Sequence, residues 1–89
     1  MSHNSIVWYE KIYVNVIVEF STMGGMKPIC IVWKDGRRYS IDKIKFVERA
    51  PCKSGGVLPI RYTMVVNGQT RYLYYERTNE RFFVERKVE

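Results

Sequence analysis

The chain has 89 residues, of which 46% are hydrophobic and 15% aromatic, and its formal net charge is +6. This length predicts one domain with a single core. No apolar run approaches the ~20 residues that cross a membrane, and the N-terminus lacks the pattern of a signal peptide, so we expect a cytoplasmic location and no membrane partner.

Metal and cofactor chemistry has little support in the sequence. The single histidine, His3, lies near the N-terminus, and the two cysteines, Cys30 and Cys52, do not form a C-x-x-C pair. A zinc site typically needs four ligands of these types. We therefore expect no metal, no cofactor and two reduced cysteines.

Residues 1–10 are predicted to form an N-terminal tail or extension, and residues 11–89 a single β-barrel domain. The tail carries apolar side chains that predict packing on the domain or a homodimer contact. These side chains are Ile6, Val7, Trp8 and Tyr9. Residues 11–20 alternate apolar and other residues with a period of two, which predicts a half-buried strand.

An Asp-Gly pair between two apolar runs predicts a β-hairpin with strands at about 28–34 and 37–48. Its loop is either Asp35-Gly36 alone or the three residues 34–36, with Gly36 in the left-handed conformation. The three-residue loop is favoured because it places the apolar side chains on one face. That face would carry Ile29, Ile31, Trp33, Tyr39 and Ile41.

The second strand of this hairpin changes the parity of its apolar residues. Tyr39 and Ile41 point to one side, whereas Ile44 and Phe46 have the opposite parity. A straight strand cannot bury all four on one face. A bulge or a sharp bend is therefore predicted near Asp42-Lys43.

The rest of the chain contains a long loop, a second hairpin and a closing strand. Residues 49–59, with two Pro and two Gly, form the longest predicted loop. Asn67-Gly68 predicts a hairpin over 60–76, in which a two-residue turn or a three-residue turn can fit. The two-residue turn, which pairs Tyr62 with Leu73, is favoured because Asn-Gly prefers it. A short strand over 81–85 ends the sheet, and the last residues are expected to fray.

No segment has the apolar spacing of an amphipathic helix, so the predicted fold is all-β. Five or six antiparallel strands of this size hide their edges best by closing into a small barrel. An SH3-like barrel is favoured. An OB-like barrel is the alternative, and the missing helix counts against it.

The chain contains four segments that carry a resemblance: M-K-P-I-C-I-V-W-K-D-G-R-R-Y-S-I-D-K-I, S-G-G-V-L-P-I-R-Y-T-M, R-Y-L-Y-Y-E and R-F-F-V-E. Together they resemble a family of small uncharacterised bacterial proteins over residues 11–86. The shared residues are mostly core and turn types, so the resemblance implies a common SH3-like barrel more than a common activity. Some of its members are encoded near translesion DNA polymerases, which implies a link to nucleic-acid metabolism by association alone.

Catalysis is not expected, because no titratable group has a partner visible in the sequence and no catalytic motif of the usual kinds is present. We interpret the chain as a small binding module, most simply for a protein partner, because SH3-like barrels bind peptides in aromatic grooves or at open sheet edges. The alternative is single-stranded nucleic acid, bound by stacking bases on a basic, Tyr-rich sheet face.

The candidate site follows from the charge pattern. Residues 27–71 hold ten basic and three acidic side chains, a distribution that can attract an anionic partner or simply keep a small sheet soluble. Basic residues alternate there with tyrosines, a combination suited to phosphates, bases or protein interfaces. The predicted contact residues are Arg37, Arg38, Lys53, Arg61, Tyr62, Arg71, Tyr72 and Tyr74. The competing explanation is that these tyrosines are ordinary cross-strand pairs covered by the stems of the arginines.

Overall fold

A computed structural model describes residues 7–88, which form seven β-strands and no helix. The strands are β1 (Trp8–Phe20), β2 (Met26–Val32), β3 (Arg38–Ser40), β4 (Lys43–Arg49), β5 (Ile60–Val66), β6 (Gln69–Glu76) and β7 (Arg81–Val88). They lie in the order β3-β2-β1-β7-β6-β5-β4, and every neighbouring pair is antiparallel. The sheet curls into a half-barrel. The predicted all-β, barrel-like architecture is therefore confirmed, with seven strands instead of five or six.

The additional strand results from the bend predicted near Asp42-Lys43. The chain leaves β3 after Ser40 and enters β4 at Lys43. Between them, the N–H of Ile41 donates to the carbonyl of Ile29 at 3.0 Å, and the N–H of Asp42 donates to the carbonyl of Val65 at 2.9 Å. Successive residues thus bond to β2 and β5, each the second strand from one end of the sheet order, so the sheet has to curl to bring these strands close together.

The first hairpin has the predicted three-residue loop. Ile31 pairs with Tyr39, and the N–H of Trp33 donates to the carbonyl of Arg37 at 2.8 Å. Gly36 has a φ of 88°, a conformation in which any other L-residue would be strained. The Asp-Gly signal and the burial pattern together identified this register correctly.

The second hairpin has the favoured two-residue turn. Tyr62 pairs with Leu73, and Val66 pairs with Gln69 directly beside the turn. Asn67 has a φ of 50° and Gly68 a φ of 75°. Positive values at both positions are required by the type I′ turn, for which Asn-Gly is the preferred sequence.

Two apolar residues of the central strands do not lie where the uninterrupted alternation placed them. Phe46 is 63% exposed, because the register shifts between Ile44 and Phe46 and turns their side chains to opposite faces. Ile29 is also exposed. It is the extra residue of a second register shift, in which Ile17 pairs with Cys30 and Val18 with Pro28, so Pro28 is buried in its place.

The two ends of the described chain form one ribbon. β1 begins at Trp8, three residues before the predicted strand, and β7 continues to Val88, where fraying was expected. Trp8 pairs with Val88, so each end supplies the hydrogen-bonding partner of the other. Residues 8–10 of the predicted tail or extension are thus part of β1, and residues 1–6 of it lie outside the described residues.

Both faces of the larger part of the sheet are covered. The inner face carries the main core, formed by Ile31, Tyr62, Met64, Leu73 and Phe82. On the outer face, Phe83 is 0% exposed and Tyr74 is 4% exposed. The loop between β4 and β5 lies against this face, since the backbone N–H of Ser54 donates to the carboxylate of Glu85, the neighbour of Phe83 on the same side of β7.

Candidate functional site in the cleft between β6 and β7

The sheet is split between β6 and β7. The two strands share only three residue pairs, which are Tyr74–Phe83, Tyr75–Phe82 and Glu76–Arg81. Beyond Tyr74, β6 continues beside β5 to Gln69. Beyond Phe83, β7 continues beside β1 to Val88. The strands therefore diverge and leave a wedge-shaped cleft between them.

The edge of β6 along this cleft presents backbone groups. The pair Val66–Gln69 flanks a two-residue turn, where the paired residues exchange both backbone hydrogen bonds. Bonding alternates along an antiparallel strand, so the N–H and C=O of Thr70 and Tyr72 point away from β5 and toward the cleft. The same alternation on β5 is verified by Val65, whose carbonyl accepts from Asp42 on the opposite side.

The cleft has a volume of about 610 Å³ and combines aromatic and charged side chains. Its aromatic residues are Tyr9, Trp33, Tyr39, Tyr72 and Tyr74. Its charged residues are Lys53, Arg61, Arg71 and Glu85. The volume is in the range of ordinary ligand-binding clefts, and the lining carries three positive charges against one negative charge.

Arg61 lines the cleft where it opens on the outer face of the sheet, an opening that we call the outer mouth. Its guanidinium carbon lies 4.5 Å from the centre of the Tyr72 ring, and its Nη2 lies 3.2 Å from Oε2 of Glu48. Burial lowers the pKa of Arg61, but the hydrogen bond and the charge of Glu48 outweigh it and hold that pKa above its ordinary value. Its Nε is buried and donates to no described residue, so one donor of this guanidinium is unsatisfied.

The other two cations of the cleft have neutral partners. Nζ of Lys53 lies 4.9 Å from the centre of the Tyr9 ring and 3.4 Å from its hydroxyl oxygen. Nη2 of Arg71 donates to the amide oxygen of Gln69. Among residues 7–88, the carboxylates that form ion pairs do so with other cations. The positive charges of Lys53 and Arg71 are therefore available to a ligand.

Glu85 fastens the loop between β4 and β5 to the side of the cleft. Burial raises the pKa of Glu85, but hydrogen bonds from Ser54, from the backbone of Lys53 and from Tyr74 outweigh it, so that this pKa lies below its ordinary value. Burial, reinforced by the charge of Glu85, raises the pKa of Tyr74 to about 12. At neutral pH, Glu85 therefore stays ionised and Tyr74 stays protonated. The hydrogen bonds of Glu85 to Ser54 and Tyr74 hold the loop against β6 and β7.

A second group of cations and aromatic rings on the outer face is structural. Arg81 lies 3.8 Å from the centre of the Tyr13 ring, and Nζ of Lys11 lies 5.0 Å from that of Phe83. Both cations also pair with Glu76, at 3.6 Å and 3.5 Å. Phe83 in turn stacks on Tyr74, with ring centres 5.1 Å apart. Here basic side chains cover the buried ring of Phe83 and the partly exposed ring of Tyr13, and their charges are paired within the fold.

The cleft brings together five of the eight predicted contact residues: Lys53, Arg61, Arg71, Tyr72 and Tyr74. Tyr62 does not belong to this surface, because it lies in the main core and is only 5% exposed. Arg37 and Arg38 lie in the β2–β3 hairpin, away from the lining, and Arg37 pairs with Asp35 at 3.1 Å.

Four aromatic or charged residues of the lining, Tyr9, Trp33, Tyr39 and Glu85, were not among the predicted contact residues. Tyr9 lies in the segment assigned to the tail, and its pairing with Lys87 on β7 is not visible in the sequence. Glu85 is the sole carboxylate of the lining and has no neighbouring motif. Trp33 was read only as a core residue of the first hairpin. The R-R-Y run did contain a usable signal, because it includes Tyr39, which also lines the cleft.

The residues predicted for a homodimer contact are partly exposed. Trp8 is 64% exposed at the free end of the β1–β7 ribbon, beside the exposed Val7. Tyr9 lies beneath Lys53, and Ile6 lies outside the described residues. A homodimer through this segment stays a prediction.

Three further findings concern the described residues: the state of the cysteines, metal-binding clusters and membrane-spanning helices. Cys30 and Cys52 are free thiols, and within residues 7–88 no three His, Cys, Asp or Glu side chains lie close enough together to hold a metal ion. No helix in this part of the chain is long and apolar enough to cross a membrane.

Comparisons with protein-family models, with curated proteins and with solved structures find no match to the chain. The resemblance to a bacterial family therefore stays a prediction.

Proposed function

We propose that the chain is a non-enzymatic binding module that takes an extended segment of a protein partner into the cleft between β6 and β7. The observation that carries this proposal is the open edge of β6, where the N–H and C=O groups of Thr70 and Tyr72 face the cleft. Extended peptides bind such edges by adding a strand, with affinity from main-chain hydrogen bonds and specificity from alternate side chains.

The lining supports the same function. Tyr and Trp are typical anchors of protein interfaces, because each supplies a large contact area at a low cost in conformational entropy. Tyr72 is 47% exposed beside the open edge. Trp33 and Tyr39 line the cleft where it opens on the inner face of the sheet, which we call the inner mouth. A segment paired with residues 69–73 would span roughly 17 Å.

Single-stranded nucleic acid is the second candidate, supported by the excess of positive charge in the lining. Base stacking needs open ring faces. Tyr62 and Tyr74 are buried, and one face of Tyr72 is occupied by Arg61. The stacking surface is therefore smaller than the sequence suggested, and unpaired backbone groups on β6 have no role in such binding.

The SH3-like barrel, the family membership and the location that the sequence predicts are also part of this proposal. An SH3-like barrel is favoured over an OB-like one because the described residues contain no helix. Membership of the bacterial family and a cytoplasmic location stay predictions.

The test uses a random peptide library displayed on phage and selected against the full chain. A synthetic copy of a selected peptide is then titrated into the wild-type protein and two variants. Thr70→Pro removes an N–H that faces the cleft and leaves the β5–β6 ladder intact. Thr70→Val is the matched control, because it keeps the N–H and loses only the hydrogen bond from Lys45 to the hydroxyl.

We expect Thr70→Pro to weaken peptide binding about fivefold to tenfold, as the loss of one or more main-chain hydrogen bonds predicts. Thr70→Val should bind like the wild type. Circular dichroism and thermal unfolding check that both variants are folded. Equal affinity of all three proteins, or failure of the library to yield a peptide, would count against strand addition at β6.

A further inference from the structure

We infer that the segment bound in the cleft is acidic, with carboxylates that contact Arg71 and Lys53 and extend to Arg61; this inference rests on the function proposed above. The charge of the lining is the first reason. Three cations line the cleft, and its one carboxylate, Glu85, is already held by Ser54 and by the hydroxyl of Tyr74. A segment with negative charge would neutralise this excess.

The state of the cations is the second reason. Lys53 and Arg71 contact neutral groups, the Tyr9 ring and the Gln69 amide. Elsewhere in the described chain, Lys11, Arg81 and Arg86 each face a carboxylate. The fold thus pairs these cations of its structural face, whereas Lys53 and Arg71, beside the open β6 edge, form no ion pair with a described carboxylate.

Arg61 supplies the third reason. Its Nε–H is buried and has no acceptor among the described residues, an arrangement that costs free energy in a folded protein. A carboxylate entering the outer mouth can supply that acceptor once the guanidinium turns toward the cleft. Arginine and carboxylate form two parallel hydrogen bonds in this geometry, which is why arginine is suited to reading acidic side chains.

The position of the cations fits an extended segment. Arg71 lies on β6 between Thr70 and Tyr72, the two residues whose backbone groups face the cleft. Lys53 lies on the loop at the outer mouth, on the same side as Arg61 and Tyr72. Side chains of a paired strand alternate between two faces. Acidic residues two positions apart can therefore lie together on the outer side, toward Lys53 and Arg61, while a residue between them lies on the inner side with Arg71.

The experiment compares two labelled peptides, one of repeated Val-Glu-Glu, which presents Glu to both sides of an extended strand, and one in which every Glu is replaced by Gln. Each is titrated into the full-length protein by fluorescence anisotropy at low and at physiological salt. A labelled oligothymidine of similar length is titrated in parallel. Arg71→Gln removes a cation of the cleft, and Arg38→Gln is the matched control, because it changes the net charge equally on an exposed residue outside the lining.

We expect the Glu peptide to bind about tenfold more tightly than the Gln peptide at low salt, and the difference to shrink as salt is added. Arg71→Gln should reduce this preference and Arg38→Gln should retain it. Lys53→Gln is a second variant that gives the same test should Arg71→Gln fail to fold.

Equal binding of the two peptides would overturn the acidic preference and leave strand addition standing. Binding of neither peptide would overturn both the preference and the proposed function. Binding of the oligothymidine alone, weakened by Arg71→Gln, would overturn the inference and identify the cleft as a site for nucleic acid.

Discussion

Arg61 lies over the ring of Tyr72, with its guanidinium carbon 4.5 Å from the ring centre, and pairs on its other side with Glu48. These three side chains come from neighbouring strands, β5, β6 and β4. They form a layer across the outer face of the sheet that ends at the cleft. The layer holds the exposed ring of Tyr72 beside the open edge of β6, so it links the stability of the sheet to the geometry of the site.

The Arg61–Tyr72 contact is expected to be a measurable interaction in its own right. In a double-mutant cycle of Arg61→Met and Tyr72→Leu, we expect a coupling free energy of about 1 kcal/mol, typical of a partly exposed cation over an aromatic ring. Urea unfolding of the four proteins measures it. Additive single substitutions would mean that the two side chains are neighbours without a significant interaction.

The hydrogen bond from the backbone N–H of Ser54 to the carboxylate of Glu85 is expected to hold the loop at residues 50–59. Glu85→Gln weakens a charge-assisted hydrogen bond to a backbone N–H and should cost about 1–3 kcal/mol of unfolding free energy. It should also speed tryptic cleavage after Lys53, because the loop opens more often. Glu80→Gln, an exposed change of the same kind in a turn, is the control. Equal cleavage of Glu85→Gln and wild type would show that the loop is held by other contacts.

Tyr74 should ionise late in an alkaline titration. Burial, with the charge of Glu85, raises its pKa to about 12, so the folded state keeps this proton where the unfolded chain loses it. The resulting stabilisation is complete below the ordinary value near 10 and is lost as the pH rises through about 12. Absorbance of tyrosinate should show a late step that Tyr74→Phe reduces and Tyr72→Phe leaves in place. A titration of Tyr74→Phe that matches the wild type would contradict the assignment.

Acid should destabilise the fold through Glu76. Burial raises the pKa of Glu76, but hydrogen bonds from Asn79 and Tyr13 and the charge of Lys11 outweigh it, and the pKa lies below its ordinary value of 4.5. A depressed pKa contributes stability above the unfolded value, and this contribution is lost as the pH falls through the folded value. Urea unfolding between neutral pH and pH 3 should therefore show a shallower acid loss for Glu76→Gln, by up to about 1.4 kcal/mol per pH unit. Parallel curves would exclude Glu76 as a source of the acid sensitivity.

The hairpins could be predicted from the sequence because their signals are local. Asp35-Gly36 and Asn67-Gly68 specify their turns through the backbone conformations that these residues adopt easily. The bend at Ile41-Asp42 was also predictable, since it resolves a conflict of parity within one strand. The exposure of Phe46 was not, because it depends on a bulge that gives Phe46 the partner Thr63 instead of Tyr62.

The site was harder to predict because it results from strands that separate. Arg61, Arg71 and Tyr72 were identified from their composition, but the cleft exists because β7 leaves β6 to pair with the N-terminal half of β1. That pairing joins Trp8 to Val88, the two ends of the described chain, and neither end has a local signal for it. Tyr62 and Tyr72 look alike in the sequence, and only the register places one in the core and the other at the surface.

Hydrogen exchange at β6, followed residue by residue by NMR, tests whether this strand presents an open edge to the cleft. In the free protein, the amides of Arg71 and Leu73 should be protected by β5, whereas those of Thr70 and Tyr72, which face the cleft, should exchange quickly. Addition of a selected peptide should protect Thr70 and Tyr72 as well. Protection of Thr70 and Tyr72 in the free protein, or continued fast exchange in the presence of bound peptide, would contradict the account of β6 as the edge that receives a partner strand.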